Sequence, residues 1–131
     1  MIDKGNKEFF NLWIDKNESI TELKSEMLDN STFSEPHILF NLLNKLPTYS
    51  TLHLANSMTV RWLNIIGINP IKRFTIQSNR GVSGIDGSNS TALGFSITSE
   101  NENYLITGDI SFFYDRNAFW NNFIPNNFKI I

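Results

Sequence analysis

The sequence predicts an α/β fold with three layers, in which a mostly parallel sheet carries helices on both faces. Three observations lead to this prediction. Short apolar runs alternate along the chain with longer segments of helical periodicity. Strands that are separated by helices pair in parallel through right-handed crossovers. The strand-like runs are short and largely apolar, as expected for strands that are covered on both faces.

We expect residues 1–32 to form lead-in helices and residues 33–131 to form an α/β core that carries the motifs. A crowded apolar patch follows the charged start, and it could dock either on the chain's own core or on another region. The sequence Ser19–Glu22 fits a capping box, which predicts that a helix begins there. Its apolar stripe consists of Ile20, Leu23, Met27 and Leu28.

A second helix is predicted to begin near Ser34. Pro36 is tolerated in a first helical turn, and Pro47 ends the helix because proline cannot continue it. The buried stripe of this helix consists of Ile38, Leu39, Leu42, Leu43 and Leu46.

Four strands are predicted in the core, at residues 51–55, 73–76, 104–107 and 128–131. Three helices are predicted between them. Asn56 and Ser57 could cap the first, which ends at Gly67, and the others cover residues 90–97 and 115–121. A chain that stops inside a strand leaves unpaired backbone groups at a sheet edge. We therefore expect residues 1–131 to be a single truncated domain.

Composition excludes several classes of protein. The chain has no cysteine, which excludes a disulfide scaffold, a thiolate zinc site and a cysteine nucleophile. Its formal net charge of −2 provides no basic field for nucleic acid. No apolar run is long enough for a membrane span, and the charged start lacks the apolar core of a signal peptide. We expect a cytoplasmic protein that binds no nucleic acid.

Three polar loops follow predicted strands, at the edge where parallel sheets bind ligands. The glycine-bearing loop 78–87 precedes a helix, an arrangement that suits phosphate, although an ordinary turn is the alternative. Asp109 follows the third strand and could ligate magnesium or cap a helix. Ser57 and Arg61 lie one helical turn apart and could hold a carboxylate together, or could be a capping serine and a surface arginine.

The two histidines, His37 and His53, have no serine–carboxylate or second-histidine arrangement nearby in the sequence. We therefore predict structural roles for both.

Taken together, three stretches resemble one family. Residues 55–61 (ANSMTVR), 78–87 (SNRGVSGIDG) and 108–117 (GDISFFYDRN) are similar, in order and spacing, to the C-terminal, diphosphate-binding domain of the MenD family. The members of this family are thiamine-diphosphate-dependent synthases that make 2-succinyl-5-enolpyruvyl-6-hydroxy-3-cyclohexene-1-carboxylate for menaquinone. The resemblance runs from about Phe33 to the end of the chain.

The resemblance implies roles for particular residues. Asp109 matches the aspartate that ligates Mg²⁺ (or Mn²⁺), Ile85 matches the apolar residue beneath the bent cofactor, and Arg80 matches an arginine that binds a substrate carboxylate. Ser57 and Arg61 match residues that meet isochorismate. The implied cofactor-binding residues are Ser83, Gly84, Ile85, Asp86, Gly108, Asp109, Ile110 and Ser111.

The resemblance also implies a reaction. The family decarboxylates 2-oxoglutarate on thiamine diphosphate and adds the resulting succinyl carbanion to isochorismate. Its cofactor-activating glutamate belongs to an N-terminal domain, and its site lies between subunits of a homodimer or homotetramer. These 131 residues hold no such glutamate domain, so we expect no catalytic residue in them and no activity from them alone. Asn126 and Asn127 precede the last predicted strand rather than follow it, so they are not assigned to the metal.

Two alternatives remain open. The chain could belong to another thiamine-diphosphate enzyme, such as an acetolactate-synthase-like enzyme or a 2-oxoacid decarboxylase. It could also be a stand-alone phosphate-binding module.

Overall fold

A computed structural model describes residues 7–131. Within this range the α-helices are Lys7–Asp29 (α1), Glu35–Lys45 (α2), Met58–Ile66 (α3), Ser88–Thr98 (α4) and Asp109–Tyr114 (α5). The strands are Thr51–Leu54 (β1), Thr75–Gln77 (β2), Asn103–Ile106 (β3) and Phe128–Ile130 (β4). Short 3₁₀ helices cover Pro70–Lys72 and Arg116–Phe119.

The strands form one parallel sheet in the order β2-β1-β3-β4. Leu52 in β1 lies opposite Ile76 in β2 and Tyr104 in β3, and Leu105 in β3 lies opposite Ile130 in β4. Every residue of β1 and β3 is buried, because both strands have a neighbour on each side and helices above and below. The predicted parallel sheet is therefore confirmed.

Alternation along the strands divides the core between two faces of the sheet. On one face, Leu52 and Ile106 pack with the apolar sides of α2 and α3. On the other face, Leu105 and Phe128 pack with Ala92 and Leu93 of α4. Helices therefore cover both faces, and the three-layer α/β prediction is confirmed.

The predicted organisation of the first helix is wrong. α1 runs without a break from Lys7 to Asp29, so the capping box at Ser19–Glu22 lies in its interior. The hydroxyls of Ser19 and Thr21 donate to the carbonyl oxygens one turn earlier, which a helix interior allows. The expected stripe is not buried either: three of its residues are exposed, namely Ile20, Leu23 and Met27.

The second helix agrees with the sequence, because α2 begins after Ser34 and ends before Pro47. Ile38 is the exception in its stripe, since this side chain is 41% exposed. No helix among residues 7–131 is long and apolar enough to cross a membrane.

Most of the other boundaries differ from the prediction by one or two residues, and two differences reflect the local structure. β2 begins at Thr75 rather than at residue 73, because Arg73 adopts a left-handed conformation at the end of a 3₁₀ turn. The helix expected at residues 115–121 is replaced by α5, which begins directly at Asp109, and by the 3₁₀ helix Arg116–Phe119.

Candidate functional site

The strand order creates a crevice at the carboxyl ends of β1 and β3. From β1 the chain passes through α3 to β2 on one side, and then through α4 to β3 on the other side. The loops that follow β1 and β3 therefore leave in opposite directions, which is where ligands bind in open parallel sheets. A cleft of about 330 Å³ lies at this point. It is lined by Asn56, Ser57, Thr107, Gly108 and Asp109, together with side chains of α2 and α3.

The backbone of Ser57, at the edge of the cleft, is strained. It has φ 83° and ψ −132°, a combination that residues other than glycine seldom adopt. The residue is exposed, and it separates the buried end of β1 from the first turn of α3. Backbone strain of this kind persists where the surrounding structure enforces it, and it clusters at ligand sites.

Asn56 lies beside Ser57 and is 3% exposed. Its Nδ2 donates to the carbonyl oxygens of Asn79 (2.7 Å) and Gly84 (2.6 Å). Its Oδ1 accepts a hydrogen bond of 2.9 Å from Nη1 of Arg80. One buried amide therefore holds three points of the loop that follows β2.

The same loop is tied to β1 and α4 at its two ends. Ser78 donates from Oγ to the carbonyl oxygen of Leu54 at 2.9 Å. Asn79 donates from Nδ2 to the carbonyl oxygen of Gly87 (3.2 Å) and to Oγ1 of Thr91 (3.1 Å). Residues 78–87 are thus a fixed loop between β2 and α4 rather than a loose connection.

The helix that follows β3, α5, contacts the same segment from the other side. Ser111 is 4% exposed, and its Oγ donates to the carbonyl oxygen of Ile85 at 2.6 Å. In the adjoining turn, the carboxylate of Asp115 accepts from the backbone N–H and the hydroxyl of Ser90. The Gly84–Ile85 backbone is therefore held by side chains that follow two different strands.

Asp109 is an exposed carboxylate in the first turn of α5, and it lines the cleft. Among residues 7–131, no three His, Cys, Asp or Glu side chains form a group that could hold a metal alone. A single carboxylate suits Mg²⁺ that is also bound by phosphate oxygens and water, whereas it does not suit a site made wholly of protein ligands. The donor set at Asp109 fits the first kind of site.

The cleft includes some of the predicted site residues and leaves others outside its lining. Ser57, Gly108 and Asp109 line it. Arg80 does not line the cleft, but it is hydrogen-bonded to Asn56, which does. Arg61 is exposed on α3 and does not line the cleft, so the cleft does not bring Arg61 and Ser57 together. The next residue, Trp62, lines the cleft instead.

The two histidines, for which structural roles are predicted, both make hydrogen bonds within the chain. His53 is 3% exposed and shares a hydrogen bond of 3.0 Å between its Nε2 and Oδ1 of Asn103. Burial lowers the pKa of His53, and the hydrogen bond to Asn103 opposes this shift in part. His37 places its Nδ1 3.0 Å from the carbonyl oxygen of Leu28, between α1 and α2.

A larger cavity, of about 730 Å³, lies between α1, α2 and residues 66–74, at the opposite edge of the sheet. The ammonium groups of its two lysines donate to backbone carbonyl oxygens at helix ends. Lys24 bonds Ile65, and Lys72 bonds Asn44 and Leu46. These lysines therefore serve as helix caps.

Sequence reasoning missed the role of Asn56, which it interpreted only as a helix cap together with Ser57. The available signal was an asparagine directly after a buried strand at the ligand edge. Its three partners lie 23 to 28 residues away, and no periodicity indicates such contacts.

No family model matches the sequence. Curated relatives do match, and the three described below are each named 2-succinyl-5-enolpyruvyl-6-hydroxy-3-cyclohexene-1-carboxylate synthase. The relative from Cytophaga hutchinsonii is 42% identical over 126 residues, which are 95% of this chain and 22% of that protein. The relative from Flavobacterium psychrophilum is 48% identical over 111 residues, 85% of this chain and 20% of that protein.

A third relative, from Christiangramia forsetii, is 48% identical over 99 residues, which are 76% of this chain and 17% of that protein. The chain thus spans about a fifth of the length of the curated relatives that it matches. Over the segment that it shares with them, the chain belongs to the 2-succinyl-5-enolpyruvyl-6-hydroxy-3-cyclohexene-1-carboxylate synthase family.

Proposed function

We propose that this chain is the diphosphate-binding part of a thiamine-diphosphate-dependent transferase, which decarboxylates 2-oxoglutarate and joins the succinyl unit to isochorismate for menaquinone synthesis. Residues 33–131 form its motif-bearing core, and residues 1–32 lead into it. One observation carries the proposal: Asp109 and Ser57, from the loops after two adjacent strands, line one cleft at the ligand edge of the sheet. The shared name of the relatives supports the choice of reaction.

Asp109 is proposed to hold Mg²⁺ or Mn²⁺ against the diphosphate of the cofactor. Its carboxylate is exposed in the cleft and follows Gly108, where the chain leaves β3. The other proposed cofactor-binding residues are Ser83, Gly84, Ile85, Asp86, Gly108, Ile110 and Ser111. When bound, thiamine diphosphate would supply the carbanion chemistry, and the chain's own residues would hold and orient the reacting groups.

The substrates bring carboxylates, and the chain provides arginines near the cleft. Arg80 uses Nη1 to bond Asn56, which leaves its other N–H donors for a carboxylate of 2-oxoglutarate. Ser57 and Arg61 are proposed to meet isochorismate. Ser57 lines the cleft, whereas Arg61 is exposed on α3 and reaches the substrate only from outside the lining.

The complete protein is proposed to be a cytoplasmic homodimer or homotetramer, in which the cofactor-activating glutamate comes from another domain. The 131 residues alone are proposed to be inactive and to bind thiamine diphosphate weakly. Asp109 is the one carboxylate proposed for the metal, so phosphate oxygens, water and the rest of the complete protein would have to supply the other ligands.

The test is turnover by the complete gene product that contains this chain. With thiamine diphosphate and Mg²⁺, we expect product from 2-oxoglutarate plus isochorismate, and no acetolactate or acetaldehyde from pyruvate. Turnover of pyruvate without isochorismate would instead place the chain with acetolactate-synthase-like enzymes or decarboxylases. Calorimetry on the 131 residues tests the last point, and micromolar binding of the cofactor with Mg²⁺ would contradict it.

A further inference from the structure

We propose that Asn56 is a positioning residue that aims the guanidinium of Arg80 and fixes the loop from Asn79 to Gly84 at the edge of the cleft. This inference rests on the proposed function, because it assigns Arg80 to a substrate carboxylate. It adds a residue that acts through others.

The side-chain amide of Asn56 is fully used. Its two N–H groups bond the carbonyl oxygens of Asn79 and Gly84 at 2.7 and 2.6 Å, and its oxygen accepts from Nη1 of Arg80 at 2.9 Å. Both carbonyl acceptors require an N–H donor and the guanidinium requires an acceptor. An amide meets all three requirements, whereas a carboxylate or a hydroxyl does not.

The loop depends on this amide for its closure. Asn79 and Gly84 are the two points at which Asn56 binds the backbone, and the residues between them, Arg80 to Ser83, are exposed. The hydroxyl of Ser83 bonds only within the loop, to the carbonyl oxygen of Arg80 at 3.2 Å. Without Asn56, the exposed segment would lose its direct attachment to the chain that follows β1, although the bond from Ser78 to Leu54 would still hold the start of the loop.

Arg80 gains orientation from the same contact. A long exposed side chain samples many rotamers, and fixing it on binding has an entropic cost. The bond to Asn56 fixes the guanidinium before a ligand arrives, so that its remaining donors are already directed. Substrate affinity should therefore fall more than the chemical rate when Asn56 is replaced.

The chain offers a matched control at the opposite edge of the sheet. Nδ2 of Asn127 bonds the carbonyl oxygens of Ser99 (2.7 Å) and Asn101 (3.0 Å), ahead of β4. This asparagine has a similar structural task but lies away from the cleft. Asn127→Ala therefore measures the effect of losing an asparagine that bonds two backbone carbonyl groups, at a place away from the cleft.

The first experiment is limited trypsin digestion of the complete gene product, with cleavage at each site followed by mass spectrometry. Asn56→Ala should speed cleavage after Arg80 by about tenfold, because the loop opens more often and the guanidinium is free. Cleavage after Arg73 serves as the internal reference, and Asn127→Ala should leave the rate at Arg80 unchanged. An unchanged rate at Arg80 in Asn56→Ala would overturn the proposal.

The second experiment is steady-state kinetics of the same variants. Asn56→Ala should raise the KM for 2-oxoglutarate about tenfold with a smaller change in kcat. Asn56→Asp keeps an acceptor for Arg80 and removes both N–H donors, so it should speed cleavage of the loop while raising KM less than the alanine variant does. In a protein that already carries Asn56→Ala, the further change Arg80→Ala should raise KM by less than it does in the wild-type protein, because the two residues act as one unit.

The outcomes separate this inference from the proposed function. A loss of kcat and of folded protein, with KM unchanged, would reduce Asn56 to a structural role and overturn the inference. If the wild-type protein does not use 2-oxoglutarate and isochorismate, the proposed function fails, and the digestion result still decides whether Asn56 holds the loop.

Discussion

The hydroxyl of Ser111 donates a hydrogen bond of 2.6 Å to the carbonyl oxygen of Ile85, and this bond joins α5, the helix after β3, to the loop after β2. Ser111 is buried, so its replacement by alanine leaves the Ile85 carbonyl without this partner. We expect Ser111→Ala to lower the free energy of unfolding by about 1–2 kcal/mol. It should also speed hydrogen exchange of the backbone amides at residues 84–86.

Ser96→Ala is the control for that prediction. Ser96 is also buried, and its hydroxyl bonds the carbonyl oxygen of Leu93 at 2.7 Å within α4. Urea unfolding and exchange mass spectrometry of both variants should show comparable losses of stability, with faster exchange at residues 84–86 only for Ser111→Ala. Equal exchange in both variants would show that the Ser111 bond does not restrain the loop.

Two glycines at α4 should respond to alanine with opposite signs. Gly87 precedes the helix with φ 76°, a left-handed conformation that costs other residues about 1–2 kcal/mol. Gly94 lies inside the helix, where an added Cβ would meet nothing within 4 Å. We expect Gly87→Ala to destabilise the protein, and Gly94→Ala to stabilise it by about 0.5–1 kcal/mol. Thermal unfolding measures both, and a gain of stability in Gly87→Ala would contradict the assigned backbone conformation.

The buried His53 should make stability depend on pH. Nδ2 of Asn103 donates to the carbonyl oxygen of Asn101, so its Oδ1 accepts from Nε2 of His53, and the neutral imidazole satisfies this bond. Burial lowers the pKa of His53 in the folded protein, so the unfolded chain takes up a proton first as the pH falls. The stability from neutral His53 is therefore complete above its unfolded pKa, about 6.5, and is lost as the pH falls towards the folded value.

Urea unfolding between pH 5 and 8 tests this prediction. The free energy of unfolding should decline below about pH 6.5 in the wild-type protein. His53→Gln keeps an amide donor for Asn103 but cannot titrate in this range, so this variant should show a smaller decline. An identical pH profile in the two proteins would exclude His53 as the cause.

Replacing Asp109 tests the proposed metal site directly. Asp109→Asn keeps the size of the side chain but removes its charge, so the complete gene product should bind thiamine diphosphate with Mg²⁺ at least about tenfold more weakly. Asp29→Asn, at the exposed end of α1, is the control and should bind normally. Calorimetry measures the affinity of both variants for thiamine diphosphate with Mg²⁺, and equal affinities would show that Asp109 does not bind the metal.

Local signals predicted most of the fold. Pro36 in the first turn of α2 and Pro47 beyond its last turn indicated its ends, and short, largely apolar runs identified β1 and β3 as buried strands. α1 was mispredicted because Ser19–Glu22 has the composition of a cap, while a helix interior also satisfies these hydroxyls. A cap and a helix interior are distinguished here only by the carbonyl groups one turn earlier, which accept the hydrogen bonds of these hydroxyls.

The site was predictable where it depends on position in the sheet. Asp109 and Ser57 follow strands, and parallel strands bring their carboxyl ends together, so both reach the cleft. The contacts of Asn56 were not predictable, because they depend on the path of a loop more than 20 residues away. The direction of Arg61 depends on how α3 is rotated against the sheet, which helical spacing alone does not determine.

Asn56 lies two residues beyond the end of β1, a strand that is paired on both sides and contains the fully buried Leu52. The loop 78–87 is therefore attached to a central, buried strand of the sheet. A ligand that binds only when this loop is closed also favours the folded chain, and by mass action it shifts the unfolding equilibrium. The melting temperature of the domain therefore reports occupancy of the cleft, and a thermal-shift screen of diphosphates and dicarboxylates can identify its ligands without an enzymatic assay.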